Sequence, residues 1–470
     1  MPLRRLFHEI PSLLLTLKPC LMMSPLSVAY FLNAEDYHFD MVIFDEASQI
    51  FPEDAVGAIF RADQVIIAGD TKQLPPTNFF SAGTGSGLDE YDDEDADEYE
   101  DGGYDSILEE AAGVLPCRTL RWHYRSRHEN LIAFSNREIY RGELITFPGC
   151  SESGPDTGVE FIFVEDGCYE GRGRNCNVPE AKRCADLVRE HIEKHPDRSL
   201  GIIAFSEKQQ EAISREIRKL REQNPEYERF FAEDKEEAFF IKNLENVQGD
   251  ERDTIFFSIG YAKTKEQKDT GKPMAMRFGP LGAAGGERRL NVAVTSAKTN
   301  LKLISSILPS DLDLSRTQSE GIRLLRSYIE FAMNGGAAPV SARHAPRPDE
   351  LVNAIQQFLT DKGYKTRAHV GCSEYRIDLA VEHPEIPGMF AAGVECDGYS
   401  YVSAKTARDR DRLRGSVLRE MGWNLYRIWS VEWFRDPESE GQKLLQFIRS
   451  AIDAANEPAA KEGASRGNRT

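Results

Sequence analysis

Met41-Val42-Ile43-Phe44-Asp45-Glu46-Ala47-Ser48 decides the fold class: a short apolar run breaks into two adjacent carboxylates. Continuous apolar residues without alternation read as a strand buried on both faces, as in a parallel sheet. Functional groups in such sheets stand just past the carboxyl ends of strands. Asp45 placed there can hold a hydrated Mg²⁺, and Glu46 can orient or deprotonate an attacking water. A lone Asp-Glu would read as an acidic helix start, so the neighbours decide.

Similar runs recur at Val65–Ala68, Gly201–Phe205, Thr254–Ile259 and Leu301–Ile307, with helical patterns at Glu180–Lys194 and Glu207–Gln223. Strands alternating with helices predict an α/β chain with parallel sheets. A phosphate-gripping G-x-x-x-x-G-K-[ST] loop should stand upstream of Asp45. None of the 44 preceding residues forms one, and Ala82-Gly83-Thr84-Gly85-Ser86-Gly87 lacks the Lys. The chain therefore reads as the back part of a larger machine, or as one that lacks its fuel inlet. A first domain without its opening strand should also expose an apolar edge and face.

Further segments occur in order along the chain. Gly69-Asp70-Thr71-Lys72-Gln73-Leu74-Pro75-Pro76 supplies an amide, Gln73, able to sense a γ-phosphate. Then come Trp122-His123-Tyr124-Arg125-Ser126, Asn246-Val247-Gln248-Gly249-Asp250-Glu251-Arg252-Asp253, and Arg288-Arg289-Leu290-Asn291-Val292-Ala293-Val294-Thr295-Ser296-Ala297-Lys298.

With these motifs the chain, from about Leu3 to Leu308, resembles superfamily 1 DNA/RNA helicases, in the branch of the nonsense-decay helicase. The resemblance implies two RecA-like domains, the first partial, with ATP in the cleft and single-stranded nucleic acid across the top. It implies that Asp45 is the metal ligand, Glu46 the water-activating carboxylate and Gln73 the γ-phosphate sensor. Arg125 is implied as an arginine finger and Glu251 as the ribose contact. Asp70, Gln248, Gly249 and Arg289 complete the nucleotide set, with Gly249 allowing close backbone approach. The usual T-R-A of the sixth motif is here Thr295-Ser296-Ala297, so a second arginine finger is replaced by a hydroxyl. Lys298 lies nearby, but an ammonium cannot reproduce the guanidinium fork. The expectation is that this polypeptide alone hydrolyses ATP negligibly, with ATP relevant only where a P-loop is supplied elsewhere; phosphate release by the purified chain checks this.

A second constellation lies after Asn334–Pro348, a Gly/Ala/Pro-rich stretch that reads as a linker. Helical periodicity covers Asp349–Lys362, strands Tyr375–Val381 and Met389–Glu395, and a charged helix Thr406–Met421. Strand alternation places Glu395 and Asp397 on one face, with Asp378 on a neighbouring strand completing an oxygen-rich pocket suited to Mg²⁺ or Mn²⁺. Arg408, Arg412 and Arg414 are candidate phosphate contacts. Arg376-Ile377-Asp378, Glu395-Cys396-Asp397-Gly398 and Gly422-Trp423-Asn424-Leu425-Tyr426-Arg427-Ile428-Trp429-Ser430 resemble restriction-endonuclease-like domains of the very-short-patch-repair type. This implies Asp378 and Glu395 as metal ligands, Asp397 at the usual catalytic Lys position, and Glu350 as an accessory acid. Relatives often carry Tyr-His where this chain has Tyr401-Val402, and valine can neither bind a metal nor take a proton. Trp423, Trp429 and Trp433 read as packing residues.

The sequence thus divides into a partial first RecA-like domain (1–115, with an acidic loop at 84–105), a second RecA-like domain (116–333), a linker (334–348), a nuclease-like domain (349–455) and a disordered tail (456–470). Net charge is −19, but ten acidic residues sit in Asp89–Asp101, so a basic groove for DNA or RNA is not excluded. The eight cysteines form no C-x-x-C pair; reduced thiols in a cytoplasmic protein fit best. No apolar run is long enough for a membrane span. Two function classes remain: a helicase–nuclease acting on DNA, and a non-catalytic nucleic-acid-binding module or truncated frame that needs an upstream helicase half or partner.

Overall fold

A computed structural model describes residues 2–76, 106–151, 154–171, 173–336, 349–373, 375–398, 401 and 406–456. The acidic loop, most of the linker, Val402 and nearly all of the tail lie outside the described residues. The chain divides into two units, Met1–Leu120 with Ala283–Val292, and Arg121–Gly282 with Ala293–Thr470. The second unit holds both the second RecA-like and the nuclease-like segments.

In the first unit, β1 (Phe39–Phe44) pairs in parallel with β2 (Ala62–Ile67), with Val42 opposite Val65 and Phe44 opposite Ile67. These inward residues meet Ala47, Ala55, Ala58 and Ile107 in a small core. The opposite face carries Met41, Ile43 and Ile66, which are 41%, 64% and 46% exposed. An open apolar face on a parallel pair is the feature expected from the sequence, since such sheets are normally covered on both sides.

In the second unit, β3 (Trp122–His123) pairs with β4 (Ile145–Thr146). Five parallel strands, β5 (Gly158–Phe163), β6 (Leu200–Ala204), β7 (Phe240–Asn243), β8 (Arg252–Ser258) and β9 (Ala297–Ser305), order as β5-β9-β8-β6-β7. Helices Val178–Lys194 and Glu207–Gln223 cover the sheet with Leu187, Val188, Ile213 and Ile217. Asn177 and Ser206 cap their first turns by accepting backbone N–H groups.

Glu180 is fully buried within this unit. It accepts hydrogen bonds from Ser258 Oγ (2.7 Å), Gly260 N (2.7 Å), Ser306 Oγ (2.8 Å) and Asn177 Nδ2 (3.2 Å). Burial outweighs these donors and raises its carboxyl to about 7. The folded state therefore binds a proton that the unfolded chain releases near the ordinary Glu value. Stability from this group is full below that value and lost as pH rises toward 7, on the order of 3 kcal/mol. Glu180→Gln should flatten this dependence between pH 5 and 7 in urea unfolding monitored at each pH.

The nuclease-like segment forms a four-stranded sheet: β10 (Thr366–Val370), β11 (Ile377–Glu382), β12 (Phe390–Cys396) and β13 (Leu425–Ile428). β10, β11 and β12 are antiparallel neighbours, and β12 pairs in parallel with β13. One face packs Leu379, Val381, Val394 and Cys396 against helices Glu350–Asp361 and Pro437–Asn456. On the other, Ile377, Ala380 and Phe390 meet Leu418, Met421, Trp423 and Phe147, the last contributed by the chain just after β4. The helix expected over Thr406–Met421 is interrupted by a five-residue π-helical turn at Asp409–Leu413 before Arg414–Glu420 resumes as α-helix.

Candidate functional site

In the first unit β1 ends at Phe44, leaving Asp45 and Glu46 exposed beyond it, as the motif requires. Glu46 adopts φ 52°, an uncommon left-handed conformation for a non-glycine residue, and Asp45 Oδ1 accepts its backbone N–H at 3.0 Å. The turn projects two carboxylates from one strand end. Asp70 organises the next loop: Oδ1 accepts Lys72 N at 2.8 Å and Oδ2 accepts the Gln73 amide at 3.2 Å. Asp70 is thus a positioning group for Gln73. Arg289 donates to Ala284 O at 3.1 Å, and Arg288 meets Glu109 at 3.4 Å. Both arginines of the sixth motif thus make contacts that support local structure.

In the second unit Arg125 is held by Glu251, with Nε 2.7 Å from Oε2. Lys298 Nζ lies 3.2 Å from the other Glu251 oxygen and also pairs with Glu237. Partial burial opposes the Lys298 charge, yet Glu237 and Glu251 raise its pKa above the ordinary lysine value. Glu251 thus gathers two cations; the sequence singled out Arg125 and Glu251 but not their pairing. Gln248 and Gly249 lie in the turn between β7 and β8. Gly249 has φ 81° and nothing within 4 Å of where a Cβ would stand. The left-handed backbone by itself favours glycine at this position. Ser296 is buried, and its carbonyl accepts Arg252 N at 3.2 Å.

The nuclease-like sheet places two carboxylates together. Leu379 pairs with Val394, so one step further along the antiparallel register Asp378 stands opposite Glu395. Opposed residues in such a pair project to the same side of the sheet. Both are buried, at 7% and 6% exposure. Asp378 Oδ2 accepts Cys396 N at 2.9 Å. Glu395 Oε2 meets Arg427 Nη2 at 3.3 Å, while Oε1 lies 3.0 Å from Arg414 Nε without forming a hydrogen bond.

Asp397 departs from the expected pocket. β12 ends at Cys396, so alternation stops there, and Asp397 turns to Ser430, accepting its N–H at 2.7 Å and its hydroxyl at 2.8 Å. It fixes the start of helix Ser430–Arg435. Among the described residues no three His, Cys, Asp or Glu side chains are arranged to share a metal ion; the candidate set is Asp378 with Glu395. Arg414 also departs from expectation. Two positions beyond Arg412, it stands on the opposite side of the helix and is only 6% exposed, facing Glu395 instead of solvent. Arg408 and Arg412 remain exposed. Trp423 and Trp433 are buried as expected, but Trp429 is exposed, edge-on to Tyr401 at 5.4 Å.

Sequence reasoning missed Asp349. It caps helix Glu350–Asp361 and lies so close to Gly398 that a Cβ there would sit 2.1 Å from its Oδ2. Burial and the charges of Asp378, Asp349, Asp397 and Glu395 push the Cys396 thiol far up. Glu350, the expected accessory acid, faces solvent. The signal for Asp349 was its position as an Asp immediately before a helical run.

Family models with the description "AAA domain" match residues 23–81 and 105–307, and the restriction-endonuclease family model REase_MTES_1575 matches 352–448. The chain carries superfamily 1 helicase domains followed by a restriction-endonuclease-like domain. It is 31% identical to the uncharacterized ATP-dependent helicase MG140 homolog of Mycoplasma pneumoniae, across 86% of this chain and 36% of that protein. It is 32% identical to the uncharacterized ATP-dependent helicase MG140 of Mycoplasma genitalium, across 88% of this chain and 37% of that protein. The DNA-binding protein SMUBP-2 of Mesocricetus auratus is 23% identical, across 71% and 33%. The chain spans about a third of the length of these relatives. Its eight cysteines are free thiols, and among the described residues no helix is long and apolar enough to cross a membrane.

Proposed function

We propose that the C-terminal domain is a Mg²⁺- or Mn²⁺-dependent nuclease acting on DNA, coupled to helicase domains whose ATP site is incomplete within this chain. The observation that carries this reading is the buried, face-sharing pair Asp378 and Glu395, with Glu395 Oε1 accepting no hydrogen bond. Two facing carboxylates repel, and a divalent cation beside them would relieve that repulsion. Mg²⁺ is commonly held by one or two carboxylates with water and phosphate filling the remainder. When bound, the ion would polarise the phosphodiester and supply an activated water. Asp378 and Glu395 would hold it, while Arg427 and Arg414 limit the negative charge around Glu395. Exposed Arg408 and Arg412 would meet backbone phosphates. On the helicase side Asp45, Glu46 and Gln73 are the proposed nucleotide residues of the first unit, completed by a P-loop from another segment or partner, and Arg125 and Glu251 are those of the second unit.

One observation favours a second reading, a non-catalytic binding module: both Glu395 oxygens already face arginines, and Asp397 is committed to Ser430. Plasmid nicking by the purified chain with Mg²⁺ or Mn²⁺ separates the two. Metal-dependent nicks support the nuclease. Salt-dependent DNA affinity without cleavage in either metal supports the module and overturns the nuclease.

A further inference from the structure

We propose that Phe147 and Trp122, from the helicase part of the chain, are positioning residues of the nuclease centre, acting through Tyr375 and Arg414 on Glu395. This rests on the metal-dependent reading above. Phe147 is 1% exposed and belongs to the core beneath the acidic face of the nuclease sheet. The segment holding it is bound along its length. Thr146 N and O both bond the Ser373 hydroxyl, at 3.1 and 2.7 Å; Trp423 Nε1 donates to Pro148 O at 2.7 Å; Phe390 N donates to Cys150 O at 2.9 Å. Glu129, from the helix after β3, accepts Cys372 N at 2.9 Å and the Thr146 hydroxyl.

Phe147 stacks on Tyr375 with centroids 4.9 Å apart and an interplanar angle of 16°. Trp122 closes the cluster edge-on, 5.4 Å from Phe147 and 5.5 Å from Tyr375. The Arg414 guanidinium lies 5.3 Å from the Tyr375 ring centroid, within cation–π range. Its Nη2 donates to Arg376 O at 2.5 Å. Ring and carbonyl together hold the guanidinium in contact with Glu395 Oε1 but out of hydrogen-bond alignment. The charge is offset while the oxygen's lone pairs stay available to a metal. A guanidinium released from the ring is free to turn its fork onto the carboxylate, the stronger bidentate arrangement, and occupy that oxygen. Trp122 also opens the motif that contains Arg125, so the finger loop and the nuclease platform share one short segment.

The test is Mn²⁺ binding to the full chain, tracked by the free-ion EPR signal, with melting temperature and salt-dependent DNA affinity measured in parallel. Phe147→Ala and Tyr375→Leu should weaken Mn²⁺ binding at least tenfold with DNA affinity within about twofold. Tyr375→Phe, which keeps the ring, should bind Mn²⁺ as the parent does. Tyr375→Leu is the gentler truncation and carries the test if Phe147→Ala fails to fold. Parent-like Mn²⁺ binding by a folded Tyr375→Leu chain, with only its melting temperature lowered, overturns the positioning role. Parent protein whose Mn²⁺ binding is absent or unaffected by Asp378→Asn overturns the metal reading and this inference together. The two failures are therefore distinguishable.

Discussion

Asp378→Asn is expected to lower metal-dependent DNA nicking by at least about 100-fold while leaving the chain as thermally stable as the parent. The side chain keeps its shape and can still accept the Cys396 N–H that Asp378 Oδ2 receives at 2.9 Å. The variant loses one of two negative charges facing each other across β11 and β12. Removing an outer-sphere partner of a metal ligand already reduces affinity or activity 10- to 100-fold, so losing a ligand should exceed that. Relief of a like-charge cross-strand pair is worth roughly 0.2–1 kcal/mol, which favours the folded variant. Loss of nicking with no fall in melting temperature marks a functional carboxylate. A variant that nicks like the parent removes Asp378 from the site. One that loses nicking only because it melts below the assay temperature would show the carboxylate to be structural.

The helicase strand ends and this carboxylate pair were legible because both rest on local rules. An apolar run ending in Asp-Glu marks a strand terminus, and alternation in β11 and β12 assigns Asp378 and Glu395 to one face. Asp397 was misassigned because the same alternation was carried one residue past the end of β12. Arg414 was misassigned because it was grouped with Arg412, although helix residues two apart do not share a face, and because its counter-ion Glu395 is supplied by the sheet beneath. Phe147 could not be read as part of the nuclease core at all. More than two hundred residues separate it from Tyr375, and its burial comes from packing between segments that sequence periodicity treats as unrelated. The arginine–carboxylate pairings have the same origin: an exposed basic helix and a buried counter-ion look identical until the sheet beneath them is placed.

Arg414→Ala should destabilise the second unit by about 3 kcal/mol, read as a lowered midpoint in denaturant with an unchanged slope. The guanidinium is buried, as is the Glu395 carboxylate it neutralises, so truncation leaves an inward-facing negative charge with a lost partner. Breaking a buried pair by removing one member typically costs about 3–5 kcal/mol. The lower end applies because Arg427 still meets Oε2 at 3.3 Å. Loss of the contact with the Tyr375 ring adds to the effect, whereas the surface pair Arg323–Glu320 should contribute under about 1 kcal/mol. The same reasoning predicts non-additivity. In an Arg414→Met, Glu395→Gln double variant no charge is stranded, and replacing a buried pair by packed neutral groups is often close to neutral. The double variant should therefore unfold at a higher denaturant concentration than Arg414→Ala, with a coupling energy of roughly 0.5–3 kcal/mol from the full cycle that includes Arg414→Met and Glu395→Gln singly. Additive effects would mean that Arg414 acts through packing alone, and the charge compensation assigned to it at the Asp378–Glu395 pair would fall with them.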